Sequence, residues 1–195
     1  MDDRSQPDAG DEKLIFIDPG SHFEIRALPP HDEARATAIL APATGEGTAE
    51  AAASVLSELR DAADAAIYGA YLDRVLVGAY GIKRDGMANT IAIIAVKEAQ
   101  RRRGIGRAML TDALRRSGKR PLTAETNEEG LPFYKACGFK LVGRRVHPSG
   151  AVRYRIGWHA PGVRFKGGTT GALTSQPITP STAHPSTSTG KGDPS

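Results

Sequence analysis

The stretch Ile91-Ala-Ile-Ile-Ala-Val-Lys-Glu-Ala-Gln-Arg-Arg-Arg-Gly-Ile-Gly-Arg107 decides how this chain is read. An apolar, β-rich run gives way to a short charged loop, then to Gly-x-Gly among four arginines, then to a helical pattern. A strand feeding a loop that opens a helix is suited to anions, because the first helical turn has unpaired N–H donors at the positive end of the dipole. Gly104 and Gly106 carry no Cβ, so a diphosphate can approach the main chain closely. Arg101, Arg102, Arg103 and Arg107 add charge-assisted donors that match phosphate.

Two familiar phosphate loops do not fit these residues. A P-loop continues from its second glycine into Lys and Ser or Thr, whereas Gly106 is followed by Arg-Ala-Met. A dinucleotide fingerprint needs a small residue at the position held by Met109, and a turn directly off the strand. Here seven residues separate Val96 from Gly104.

Outward from this stretch the periods are legible. Phe23–Ala27 alternates as a half-buried strand does, and helices are expected near Asp32–Leu40 and Ala49–Ala63. Ile67–Leu72 and Val75–Ile82 flank Asp73-Arg74, a two-residue hairpin turn, with Asn89–Val96 as the next strand. The helix after the arginine loop places Gly106, Leu110, Ala113 and Leu114 on one side and stops at Gly118. Pro121–Thr126 reads as a strand, and Leu131–Cys137 as a short helix with Pro132 in its first turn. Phe139–Val146 and Ala151–Trp158 form a last hairpin around His147–Gly150. The order is β α α β β β α β α β β.

The 195 residues suit one domain, and 39% hydrophobic content suffices for a core in the middle of the chain. Residues 1–21 form an N-terminal extension, acidic and polar at its start and without the apolar run of a signal peptide. Residues 162–195 are rich in Gly, Ser, Thr and Pro and are expected to be a disordered tail. No run approaches the roughly 18 apolar residues of a membrane span. The single cysteine, Cys137, excludes an internal disulfide, and the histidines lack metal-ligand spacing. A cytoplasmic location fits best. The net charge of +4 raises nucleic-acid binding, but the densest basic cluster coincides with the diphosphate loop and no recognition motif accompanies it.

Two motifs together carry a resemblance. Arg101-x-x-Gly104-x-Gly106 after a strand resembles the coenzyme A signature of the GNAT N-acetyltransferases, Gln/Arg-x-x-Gly-x-Gly/Ala. About 30 residues on, Asn127-Glu-Glu-Gly-Leu-Pro-Phe133-Tyr134-Lys-Ala-Cys-Gly138-Phe139 resembles the family's Asn-x-x-Ala-x-x-Phe-Tyr-x-x-x-Gly-Phe. The element order over about residues 22–158 is similar to that family's fold, a mixed, mostly antiparallel α/β (α+β) sheet of six or seven strands with helices on both faces. The domain is expected to span residues 22–161.

The resemblance implies an acetyl-CoA-dependent N-acetyltransferase with no metal, acting on a primary amine by direct transfer in a ternary complex. It implies that the pantetheine arm pairs with the main chain of Ile94, Ala95 and Val96 in a gap between the fourth and fifth strands. The amide of Val96 then holds the acetyl oxygen. Arg101, Arg102, Arg103, Gly104, Ile105, Gly106 and Arg107 would bind the diphosphate. Tyr134, near the coenzyme, maps to the acid that protonates the leaving thiolate. Asn127 would point at the coenzyme arm or cap the following helix. Relatives often carry a glutamate on the fourth strand, and Thr90–Val96 has none. Glu125 or an ordered water is the expected base. The acceptor, a small amine or a protein amine, stays open, as does homodimerisation. The alternative is a non-catalytic acetyl-CoA-binding module of the same fold.

Overall fold

Strand register decides this architecture, and one bulge decides where its functional edge lies. The computed structural model describes residues 20–118, 120–146 and 150–159. Nearly all of the expected extension, the whole expected tail and the tip of the last hairpin lie outside the described residues.

The elements run β1 (Phe23–Ala27), α1 (Glu33–Leu40), α2 (Ala49–Asp61), β2 (Ala65–Leu72), β3 (Val75–Asp85), β4 (Ala88–Val96), α3 (Ile105–Ser117), β5 (Leu122–Thr126), α4 (Leu131–Ala136), β6 (Lys140–Val146) and β7 (Val152–Trp158). This is the expected order. They form one seven-stranded sheet, β1-β2-β3-β4-β5-β7-β6, in which β4 and β5 are parallel and every other pair is antiparallel. Helices α1 and α2 pack on β2–β4, and α3 packs against β3–β5. Each layer buries its own cluster: Leu40, Leu56, Leu59, Ile67 and Ile93 under α1 and α2, and Val77, Ile91, Met109, Leu110, Leu122 and Ile156 under α3.

Local chemistry accounts for the element ends. Thr48 caps α2, its hydroxyl accepting from the Ala51 amide at 3.2 Å. The turn between β2 and β3 holds Asp73 and Arg74 at φ 49° and 68°, the doubly left-handed geometry of a tight hairpin. Arginine adopts it at a cost of about 1–2 kcal/mol. The turn is braced where the Asp73 carboxylate accepts from the His22 amide at 2.8 Å.

The bulge lies in β4. Ile82 pairs with Ile91 and Gly81 with Ile93, which leaves Ala92 without a partner. An inserted residue turns the side chains that follow to the opposite face. Accordingly Ile91 lies in the α3 cluster and Ile93 in the α1–α2 cluster, although they are two residues apart.

A buried carboxylate anchors α3. Asp112 accepts from the Tyr80 hydroxyl at 2.6 Å, from Arg115 at 2.6 Å and from Arg116 at 2.7 Å. Burial pushes its carboxyl upward, but the hydrogen bonds from Arg116, Tyr80 and Arg115 outweigh that and hold it below the ordinary 3.8. Asp112→Ala should cost on the order of 3 kcal/mol in urea denaturation at pH 7, because it strands the Tyr80 hydroxyl and a half-buried guanidinium. The carboxylate's contribution is complete above its unfolded pKa and is lost as pH falls through the lowered native value. The gap between wild type and variant should therefore begin to narrow below about pH 4 and close only below the lowered native value; a gap that stays constant down to pH 3 would exclude this role.

Candidate functional site

The register of β4 opens a gap beside it. Its pairing with β5 runs Asn89–Leu122, Thr90–Thr123 and Ile91–Ala124 and stops there, at the bulge. Both strands continue, β4 to Val96 and β5 to Thr126, without pairing. The peptide groups facing this gap follow from alternation. The Lys97 amide donates to the Val77 carbonyl at 2.8 Å, and Val96 aligns with Gly78. Residue 97 therefore bonds towards β3, and the N–H and C=O of Val96 and Ile94 turn the other way, into the gap. The peptide of Ala95 turns to β3, and its side chain packs on the α1–α2 cluster. Of the three residues expected to offer main chain to a ligand, two are positioned to do so. The Val96 carbonyl already accepts from Arg101 Nε at 3.3 Å.

The gap runs towards the first turn of α3. Gly104 stands at its N-cap with φ 84°, a conformation that costs glycine nothing, and no side chain caps the helix. The first-turn amides, including those of Ile105, Gly106 and Arg107, have no intrahelical partners. A Cβ on Gly106 would stand 3.2 Å from the Phe133 ring and 3.7 Å from Val96 Cγ2, so β4, α3 and α4 converge on this position. The arginines play unequal parts. Arg103 donates to Gln100 Oε1 at 2.6 Å and Arg107 to the Ala136 carbonyl at 3.1 Å, which ties α3 to α4. Arg102, at φ 66° and exposed, makes no side-chain bond among the described residues.

Tyr134 comes from α4, whose start is set by Gly130 and Pro132. A Cβ at Gly130 would run into Thr126 Oγ1. Asn127 Oδ1 accepts from the Gly130 amide at 2.9 Å, so its carbonyl end shapes this turn. The Tyr134 ring packs edge-on against Phe133 and Phe139, at 5.2 and 5.4 Å between centroids. The residue is 5% exposed and its hydroxyl makes no hydrogen bond among the described residues. Among the described residues no fully buried side-chain polar atom lacks a partner, so that hydroxyl reaches solvent. Burial, and secondarily the neighbouring Cys137 thiol, push its pKa above the ordinary 10. Burial also pushes the half-buried Cys137 thiol up, against the opposing charge of Arg107. A thiol held in its neutral form is a poor nucleophile.

Glu125 is the first β5 residue beyond the last β4–β5 pair, at the mouth of the gap. Its carboxylate is clasped by Arg145, with Nε at 3.1 Å from one oxygen and Nη2 at 2.5 Å from the other. The hydrogen bonds from Arg145, aided by the charges of Arg145, Arg155 and Arg153, hold its pKa below the ordinary 4.5. A carboxylate so engaged is a weak proton acceptor at neutral pH. Nothing local in the sequence pointed to Arg145, which lies 20 residues away on β6 and reaches Glu125 across β7. Among the described residues no group of His, Cys, Asp or Glu is placed to hold a metal ion, and no helix is long and apolar enough to cross a membrane.

This geometry has relatives. A search of curated proteins finds no match. Among solved structures, an aminoglycoside 6'-N-acetyltransferase complexed with coenzyme A is 14% identical with a TM-score of 0.60, over 70% of this chain and 96% of that one. An IAA acetyltransferase from Bacillus cereus is 19% identical with a TM-score of 0.56, over 71% and 100%. The PaiA N-acetyltransferase from Thermoplasma acidophilum, in complex with coenzyme A, is 16% identical with a TM-score of 0.56, over 71% and 99%. At such identities the likeness is one of fold. Residues 63–141, from the start of β2 through α4 into β6, match the model of the acetyltransferase (GNAT) domain. That segment is similar to a GNAT acetyltransferase domain, and the open β4 edge and the Gly104-capped helix lie inside it.

Proposed function

We propose that this protein is an acetyl-CoA-dependent N-acetyltransferase that moves the acetyl group directly to a primary amine within a ternary complex. The observation that carries the reading is the run of open main chain, from the gap-facing peptides of Ile94 and Val96 to the uncapped first turn of α3. An amide-bearing arm ending in a diphosphate needs such a track. Its amides pair with Ile94 and Val96 as an added strand would, and its phosphates meet the amides of Ile105, Gly106 and Arg107. Arg102, without another side-chain bond among the described residues, adds charge there, while Arg101 and Arg103 hold the loop in shape.

In the reaction the amine nitrogen attacks the thioester carbonyl carbon, and the C–S bond breaks as the new C–N bond is completed. The Val96 amide donates to the carbonyl oxygen as it gains charge. The Tyr134 hydroxyl, kept protonated by its surroundings, gives its proton to the departing sulfur and recovers one from solvent. The amine must lose a proton, and water takes it, since Glu125 is committed to Arg145. Glu125→Gln should accordingly keep kcat/KM within about tenfold of wild type. A fall of a thousandfold with acetyl-CoA affinity intact would restore Glu125 as the base. A reducing cytosol suits the lone thiol, and we place the protein there.

Calorimetric titration with acetyl-CoA, followed by thiol release with a panel of amines, tests the reading. Micromolar binding and amine-dependent thiol release are expected. A folded protein that binds no acetyl-CoA overturns the proposal, and one that binds it but never releases thiol is the non-catalytic module instead.

A further inference from the structure

The gap-side end of β5 opens onto a group of arginines that the transfer step leaves unused. Cross-strand partners in an antiparallel pair share a face. Glu125 pairs with Arg155, Arg155 with Gly143, and Arg153 with Arg145. The side chains of Glu125, Arg145, Arg153 and Arg155 therefore share one face. It is opposite the face that buries Ile156 with α3. The four meet electrostatically as well, because all three guanidinium charges act on the Glu125 carboxyl.

One carboxylate thus stands among three cations, and Arg145 alone satisfies it with both prongs. Arg153 and Arg155 have no ion-pair partner among the described residues. Moreover, Arg153 sits directly across from Arg145, a like-charge cross-strand pair of the kind that destabilises a sheet. The fold gains nothing from that arrangement. Arg153 also leans towards the turn before α2: a Cβ on Gly45 would stand 2.8 Å from its Nη2. The Arg153 guanidinium therefore lies between that turn and β7, and Arg155 stands across from Glu125 at the mouth of the gap.

We propose that Arg153 and Arg155 select an acceptor that carries a carboxylate a few bonds from its amine. The guanidinium fork matches a carboxylate in two-pronged fashion, as the Arg145–Glu125 clasp itself illustrates. Glu125 then has a positioning role, holding Arg145 aside so that its neighbours face the incoming anion. The inference rests on the acetyltransfer reading above.

The test compares thiol release with β-alanine, 4-aminobutyrate, L-aspartate and L-glutamate against the matching carboxamides, alongside calorimetric titration with acetyl-CoA. The expected result is a preference for the carboxylates of roughly tenfold or more in kcat/KM, carried mainly by KM. In Arg153→Gln/Arg155→Gln that ratio should collapse towards one, with acetyl-CoA affinity serving as the check on folding. Arg155→Lys, which keeps the charge but loses the fork, should fall between the two. Carboxamides or cationic polyamines used as well as the carboxylates would overturn this inference and leave the transferase reading standing. So would a preference that survives the double substitution, or acetyl-CoA binding with none of these amines acetylated. Failure to bind acetyl-CoA at all would remove both.

Discussion

Tyr134→Phe should lower kcat about a hundredfold while the acetyl-CoA dissociation constant stays within about twofold. The ring alone fills the space between Phe133 and Phe139, and phenylalanine keeps it, so the packing of α4 is preserved. Only the hydroxyl is lost, and it bonds nothing among the described residues, so no buried partner is stranded. General acids contribute about 10²–10⁴-fold, and the lower end is expected here because a phenol is a weaker acid than the thiol it serves. Burial drives the pKa further up, which secures the proton across neutral pH and makes the donor weaker still. The wild-type kcat should consequently show no alkaline loss below about pH 9.5, since the group stays protonated beyond its ordinary value. Stopped-flow and steady-state thiol release, with calorimetry on both proteins, measure all of this. An unchanged kcat would remove Tyr134 from the chemistry; lost acetyl-CoA binding would make it a binding residue instead.

The other large effect belongs to Gly104. Gly104→Glu should weaken acetyl-CoA binding a hundredfold or more, a change of about 2.7 kcal/mol. Two causes add. The φ of 84° costs a residue with a Cβ about 1–2 kcal/mol, and a relaxed backbone turns the first-turn amides away from their aim. The new carboxylate also competes for those amides and repels the diphosphate. An acidic side chain at a helix N-terminus is otherwise favourable, so the melting temperature should fall far less than the affinity. Gly104→Asn separates the two causes, because asparagine tolerates the left-handed region and brings no charge. It should lose roughly tenfold. Equal losses in both variants would attribute the effect to backbone shape alone, and no loss in either would move the diphosphate elsewhere.

The local structure at these two positions was legible because its signals are local. Gly104 declares itself by its place between a strand and a helix, and Tyr134 by its spacing from Asn127 and Gly138. The same holds for the element order, the Asp73-Arg74 turn, the stop at Gly118 and the Pro132 start of α4, all of which the structure contains. Each depends on the conformational preference of one residue or on hydrogen bonds spanning three or four positions.

The rest depended on partners far along the chain. Nothing in Thr90–Val96 announces the bulge at Ala92, because it arises from matching β4 to the register of β3. That mismatch ends the pairing with β5 and sends Ile93 to the opposite core from Ile91. It also turns the peptide of Ala95 to β3 while leaving those of Ile94 and Val96 open. Glu125 reads as a free carboxylate until β6 and β7 fold beside it and bring Arg145, 20 residues on, within reach. Arg153 and Arg155 gain their setting only from strand pairing, which puts Arg153 opposite Arg145 and Arg155 opposite Glu125. Backbone preferences acting over a few residues set the order of the elements and the left-handed glycine turn before α3. Tertiary structure decided which peptides face the gap, which carboxylate is free and where the unpaired charge gathers, because each is a property of register between strands that only the folded sheet possesses.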